Sequence, residues 1–254
     1  GEAGDRIVAT PHGAQLLSWV AGGRERLYLS PAADFAPGRA IRGGVPLIFP
    51  QFNAWGTGTR HGFARLREWT RVSTTDGEAL RLQLHDDEAT RADWPHAFVA
   101  TLSARLSPGE LAVALTVENP ADTLCTFTAA LHTYLRVDDV HACTLHGFEG
   151  RAFLDATDGN RPGTQDATPL RFPGEFDRIW PGAGDAVLRL HDGDAGLECA
   201  SDGFPDTVVW TPGETLAAML ADVGAAEASR FLCIEPAAIL SPVGLAIAAI
   251  VALG

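Results

Sequence analysis

The chain has 254 residues, of which 46% are hydrophobic and 20% are charged, a composition typical of a folded globular protein. Its net charge of −13 argues against a nucleic acid or an anionic membrane surface as a partner, because both attract basic surfaces. All 19 basic residues are arginine, which excludes lysine Schiff-base chemistry and a Walker A phosphate loop.

The first segment with an unusual composition is Ile41–Gly62, which contains two prolines, five glycines and three aromatic residues. A core strand does not tolerate this mixture, so the segment is predicted to be a loop. Loops of this kind often form shaped binding surfaces, although an ordered surface loop without a function fits the same composition. Arg42 and Arg65 flank the loop, and each alone would be assigned to the surface.

Alternation of apolar and polar residues predicts half-buried antiparallel strands at Leu80–Leu84 and Leu111–Val117. Helical periodicity is limited to Glu88–Trp94 and Glu214–Asp222. The apolar run Val243–Leu253 has about half the length of a membrane span and is predicted to be a buried last strand. Turns are indicated by six Pro-Gly dipeptides, which begin at Pro37, Pro108, Pro162, Pro173, Pro181 and Pro212. We therefore predict one all-β domain over residues 1–254, with two packed antiparallel sheets and few short helices.

Two ionisable side chains lie in strongly apolar strands. His132 has the sequence context of a hydrogen-bonded core histidine, and Glu235 follows the apolar residues 231–234. A carboxylate is costly to bury, and burial raises its pKa. Glu235 is therefore a candidate general base, and a structural ion pair is the alternative.

The four cysteines Cys125, Cys143, Cys199 and Cys233 lack the close spacing of zinc ligands. They are predicted to be free thiols in a reducing compartment. No signal peptide is recognisable, so we expect a cytoplasmic protein, and we expect a monomer.

Five sequence blocks, in the same order, resemble the hexose-6-phosphate mutarotase (glucose-6-phosphate 1-epimerase) branch of the aldose 1-epimerase family. The resemblance covers nearly the whole chain and implies a galactose-mutarotase-like supersandwich of antiparallel sheets, with the substrate cleft on the concave face of the large sheet. The blocks are Arg42–Phe52 with His61–Arg65, Leu131–Tyr134, Phe176–Trp180, Val209–Pro212 and Leu232–Pro236.

The resemblance implies a role for each residue that matches a family motif. His132 corresponds to the general acid on the sugar ring oxygen, and Glu235 to the general base on the anomeric hydroxyl. Asp177 corresponds to a ligand of the substrate hydroxyls, with a turn-capping aspartate as the alternative reading of the residues. The implied phosphate and pocket residues are Arg42, Arg65, Arg60 and His61.

This sequence departs from the family pattern at two of these positions. Arg60 stands where the family often has a substrate-binding glutamine, and it offers a third cation for a phosphate. Ala237 replaces the glycine that usually follows the Glu-Pro dipeptide.

Interconversion of sugar anomers needs an acid and a base at the same time, because the ring oxygen gains a proton while the C1 hydroxyl loses one. A protonated histidine and an ionised glutamate meet this need, and no metal, nucleotide or redox cofactor is required. We predict an isomerase whose partner is a small phosphosugar, most simply glucose 6-phosphate. The alternatives are a mutarotase for free aldoses, which needs no arginine cluster, and a non-catalytic carbohydrate-binding β-sandwich.

Overall fold

The computed structural model describes residues 4–75, 77–246 and 250–253, and these form two α-helices and nineteen strands. The helices are α1 (Glu88–Asp93) and α2 (Gly213–Met219), and 3₁₀ turns cover Ala64–Leu66, Ala156–Asp158 and Ala225–Glu227. The strands are β1 (Arg6–Thr10), β2 (Gln15–Ala21), β3 (Arg24–Glu25), β4 (Leu47–Ile48), β5 (Thr70–Arg71), β6 (Leu80–His85), β7 (Val99–Ser107), β8 (Glu110–Glu118), β9 (Cys125–Leu131), β10 (Thr133–Arg136), β11 (Thr144–His146), β12 (Ala152–Asp155), β13 (Arg161–Thr164), β14 (Phe176–Trp180), β15 (Leu188–Asp192), β16 (Ala195–Cys199), β17 (Asp206–Thr211), β18 (Phe231–Leu245) and β19 (Ile250–Leu253).

The strands form four antiparallel sheets. The largest has eight strands in the order β13-β12-β14-β17-β18-β9-β4, and β10 pairs with β18 as the eighth strand. A five-stranded sheet follows the order β19-β8-β7-β6-β5, and two three-stranded sheets consist of β1-β2-β3 and β11-β15-β16. The chain is therefore an all-β protein of antiparallel sheets with two short helices, as predicted, although four sheets form where two were expected.

The main hydrophobic core lies between the eight-stranded and five-stranded sheets. Ile234 and Ala238 of β18 enter this core together with Leu102 and Leu115 of the five-stranded sheet. Because neighbouring strand residues point to opposite faces, Glu235 points away from this core. The second face of the eight-stranded sheet therefore holds the polar side chains that the sequence analysis selected.

The predicted loop Ile41–Gly62 is only partly a loop. Leu47 and Ile48 form β4 and pair with β9 at the edge of the large sheet, and most of the segment as far as Phe52 is buried. Gly44 makes this packing possible. It has a φ of 65°, and a Cβ atom there would lie 2.0 Å from the carbonyl oxygen of Leu16.

The structure confirms the two predicted short helices as α1 and α2, and the two alternating segments as β6 and β8. The single last strand at Val243–Leu253 is wrong, because β18 ends at Leu245 and a separate strand, β19, starts at Ile250 and joins the other large sheet. Residues 247–249 of that prediction lie outside the described residues. In the described part, no helix is long and apolar enough to cross a membrane.

Candidate active site

The strand register places His132 directly beside Glu235. The strands β9 and β10 pair with the same edge of β18. The register is continuous from Ala129 to Arg136, and His132 occupies the one-residue break between the two strands. The backbone N–H of His132 is still hydrogen-bonded at this break, because it donates to the carbonyl oxygen of Pro46 at 3.0 Å. Nε2 of His132 lies 3.3 Å from Oε1 of Glu235, so the two side chains share one face of the sheet.

The side chains of both His132 and Glu235 are largely shielded from solvent. The side chain of Glu235 is 2% exposed and that of His132 is 14% exposed. Burial, with a smaller contribution from the charge of Asp177, raises the pKa of Glu235 well above its usual value. Burial and the charges of His61, Arg42 and Arg65 lower the pKa of His132 well below its usual value. The resting pair thus favours a neutral imidazole and a protonated carboxyl, opposite to the charged forms expected from the sequence.

Two aromatic rings fix the orientation of His132. The ring of Tyr134 is stacked on it with centroids 4.8 Å apart and an interplanar angle of 13°, and Trp210 meets it edge-on at 5.8 Å. In the described part of the chain, neither Nδ1 of His132 nor Oε2 of Glu235 has a hydrogen-bond partner. The ring plane is therefore held by packing, and two buried polar atoms remain available to a bound molecule.

Arg42 is held by an internal carboxylate. Its Nε and Nη2 donate to the two oxygens of Asp222 at 3.0 and 3.1 Å, and its Nη1 donates to the hydroxyl oxygen of Tyr134 at 2.9 Å. Such a bidentate ion pair occupies the edge of the guanidinium group that would otherwise bind a phosphate. The structure therefore shows Arg42 paired with Asp222 and linked to the ring that is stacked on His132, and a role of Arg42 near a phosphate stays a prediction.

Arg65 has more freedom to bind an anion. Its Nη2 donates to the backbone oxygen of Arg60 at 2.9 Å, whereas its buried Nε has no partner among the described residues. Burial and the like charges of Arg42 and Arg60 lower the pKa of Arg65 to about 10, partly offset by Tyr134. Three arginines thus act on one region, and an incoming anion would relieve their mutual repulsion.

His61 lies at the same end of the site. Its ring meets that of His132 edge-on with centroids 6.1 Å apart, and its Nδ1 accepts the backbone N–H of Asn53 at 3.3 Å. Burial and the charges of Arg65, Arg60 and Arg42 lower the pKa of His61 to about 3. His61 is therefore a neutral wall of the site over the ordinary pH range.

Asp177 lies within β14 on the same face as Glu235, since it pairs with Trp210 in the next strand. It is half-buried, and burial together with Glu175 and Asp155 raises its pKa to about 6. A carboxylate inside a strand caps no turn, so the capping alternative from the sequence is wrong. The position suits a side chain that accepts hydrogen bonds from a ligand.

Sequence reasoning missed Tyr134, Trp210 and Asp222 as parts of the site. Tyr134 follows His132 by two residues, so strand alternation alone would have placed both on one face. The link from Arg42 to Asp222 spans 180 residues, and no local pattern indicates it.

The acid–base pair does not lie in the cavity of ≈ 800 Å³ between the sheets. That cavity is lined by Thr133, Ile234 and Pro236, the strand neighbours whose side chains point to the other face. The pair instead lies on the opposite face of the eight-stranded sheet, where His132 contacts His61 of the segment after β4.

Comparison with known proteins agrees with this arrangement. The family model described as aldose 1-epimerase matches residues 2–247. The chain belongs to the aldose 1-epimerase family. It is therefore an isomerase, and the alternative of a non-catalytic carbohydrate-binding module is wrong.

The relatives of this aldose 1-epimerase family member have similar names. It is 32% identical over 247 residues to a Cenchrus ciliaris protein named "Putative glucose-6-phosphate 1-epimerase". This alignment covers 92% of this chain and 75% of that protein. An Escherichia coli protein of the same name is 33% identical over 233 residues, covering 89% and 77%. The crystal structure of a "putative mutarotase (YeaD)" from Salmonella typhimurium superposes with a TM-score of 0.88 at 27% identity, covering 98% of this chain and 85% of that one.

Proposed function

We propose that this enzyme interconverts the α and β anomers of a hexose 6-phosphate, most simply glucose 6-phosphate. The observation that carries the proposal is the contact of 3.3 Å between His132 and Glu235 beside a group of three arginines. The names of the relatives support the same substrate class.

The spacing of the pair suits the two oxygens of a hemiacetal. The ring oxygen and the C1 hydroxyl are bonded to the same carbon, so the acid and the base must lie side by side. His132 gives a proton to the ring oxygen while Glu235 takes the proton of the C1 hydroxyl, and the C1–ring-oxygen bond breaks. The open aldehyde rotates about its C1–C2 bond. On reclosure on the other face, the attacking hydroxyl returns its proton to His132 and Glu235 returns its proton to the C1 oxygen.

Both pKa shifts act toward the neutral imidazole and the protonated carboxyl, and the mechanism needs a single proton on the pair. A neutral His132 with a protonated Glu235 has the same proton count as the working pair of imidazolium and carboxylate. The positive charges of Arg42 and Arg65 oppose the imidazolium form. A phosphate dianion near Arg65 cancels part of this field, so the substrate itself favours the reactive form.

The arginines distinguish a phosphosugar from a free sugar. The net charge of −13 repels a dianion at long range, so a phosphosugar needs a local reversal of the field. Arg65 and Arg60 provide this reversal, and Arg42 contributes its charge from the pair with Asp222. Asp177 offers an acceptor for sugar hydroxyls on the same face.

A direct test follows the anomerisation of freshly dissolved α-glucose 6-phosphate by polarimetry, with α-glucose as the comparison. We expect a much larger kcat/KM for the phosphosugar. Equal values for the two sugars would favour the mutarotase for free aldoses, and no acceleration of either would reject both functions.

A further inference from the structure

A third side chain with ligand chemistry stands beside the acid–base pair. Cys233 and Glu235 are two residues apart in β18, so both point to the face that holds His132. One ligand atom from each of His132, Cys233 and Glu235 lies within 4.8 Å of the other two. The proposed sugar chemistry gives Cys233 no role.

The three ligand atoms have nearly the spacing of a tetrahedral zinc site. Zinc binds sulfur at about 2.3 Å and nitrogen or oxygen at about 2.0–2.2 Å, so ligands on one ion are separated by roughly 3.5 Å. The separation of 3.3 Å between His132 and Glu235 already meets this value, and the sulfur of Cys233 lies within 4.8 Å of a ligand atom of each. Nδ1 of His132 and Oε2 of Glu235 have no partners among the described residues, so other hydrogen bonds do not restrain these two side chains.

We propose that His132, Cys233 and Glu235 form a three-ligand site for a thiophilic divalent cation of the zinc class, and that the bound ion blocks the acid–base pair. On binding, the Cys233 thiol and the Glu235 carboxyl each release one proton to the buffer, and the ion gains a thiolate, a carboxylate and an imidazole ligand. Zinc accepts this mixture of sulfur, nitrogen and oxygen, with its fourth position open to water. Magnesium and calcium prefer oxygen ligands and do not compete.

The site makes inhibition depend on the metal and on the substrate. The ion occupies the same atoms of His132 and Glu235 that transfer protons to the sugar, so metal and substrate exclude each other. Inhibition by Zn²⁺ is therefore competitive, is reversed by a chelator and is absent with Mg²⁺.

Cobalt(II) provides a test that does not depend on activity. Titration of the wild-type protein with Co²⁺ should produce a sulfur-to-cobalt charge-transfer band in the near ultraviolet, and Zn²⁺ should displace it. Cys233→Ser should abolish the band, whereas Cys125→Ser, which changes another buried cysteine in β9, should retain it. Removing a residue that only hydrogen-bonds to a metal ligand weakens metal binding about 10- to 100-fold. Cys233→Ser changes a ligand itself, so it should weaken Zn²⁺ inhibition by more than about 100-fold, measured relative to the uninhibited rate of the variant.

Absence of the cobalt band in the wild-type protein, or the same band and inhibition in Cys233→Ser, would overturn the site. Cys233→Ala serves as a second variant if the serine variant does not fold, with circular dichroism to check both. The cobalt spectrum is independent of the proposed mutarotase function. A protein that binds Co²⁺ but accelerates no anomerisation would keep the metal site and reject the function.

Discussion

Replacement of Arg65 by alanine isolates the contribution of the phosphate to catalysis. In the structure the Arg65 guanidinium donates once to a backbone oxygen and retains a buried, unpartnered Nε. Four of its five N–H groups thus have no acceptor among the described residues, and a charged hydrogen bond to a phosphate contributes about 1.5–3 kcal/mol. Since 1.4 kcal/mol corresponds to a factor of ten, the loss of one such bond should lower kcat/KM for glucose 6-phosphate roughly 10- to 100-fold.

The assay compares Arg65→Ala with Arg67→Ala, which removes the same charge two residues further along the chain. The charge of Arg67 lowers the pKa of Asp87. Arg67→Ala should leave kcat/KM close to the wild-type value. Any residual activity on free glucose should be nearly unchanged in Arg65→Ala, because glucose carries no phosphate. Equal losses on the two sugars, or equal effects of the two variants, would refute the phosphate assignment.

Four further predictions concern the acid–base pair, the neighbouring Asp177, and Asp222, which holds Arg42. His132→Ala and Glu235→Gln should each lower kcat by about 100-fold or more while the protein stays folded, and wild-type turnover in either would remove that residue from the mechanism. Asp177→Ala should raise KM for glucose 6-phosphate without lowering Tm, and an unchanged KM would remove Asp177 from substrate binding. The pKa of Asp177 in the folded protein is raised from 3.8 to about 6, so the free energy of unfolding falls as the pH rises through this interval. Asp177→Asn should therefore stabilise the protein by up to about 3 kcal/mol above pH 6 and scarcely at pH 4. Thermal melts at the two pH values test this, and a gain that does not change with pH would contradict it. Asp222→Ala removes the two carboxylate acceptors of the partly buried Arg42 and leaves only the Tyr134 hydroxyl, so it should lower the free energy of unfolding in urea by about 1.5–3 kcal/mol. Asp34→Ala in an exposed pair should cost less than about 1 kcal/mol. Equal costs would show that the inner pair is no stronger than a surface pair.

Local sequence determined some of the strands, and it identified His132 and Glu235 as ionisable residues in apolar strands. Alternation of apolar residues predicted β6 and β8 correctly, because a half-buried strand shows a period of two whatever it packs against. The same alternation places Glu235 on the face opposite the core. Family resemblance selected His132 and Glu235 as a pair, although they are far apart in the chain.

Only the tertiary structure decided which atoms meet. The register of β18 against β9 and β10 brings Nε2 of His132 to 3.3 Å from Glu235, and burial then shifts both pKa values toward the neutral forms. The partner of Arg42 lies 180 residues away, so no local pattern reveals that this arginine is bound to Asp222. The physical reason is the range of the interactions. Strand periodicity depends on neighbouring residues, whereas pairing, desolvation and charge neutralisation depend on groups that only the folded chain brings together.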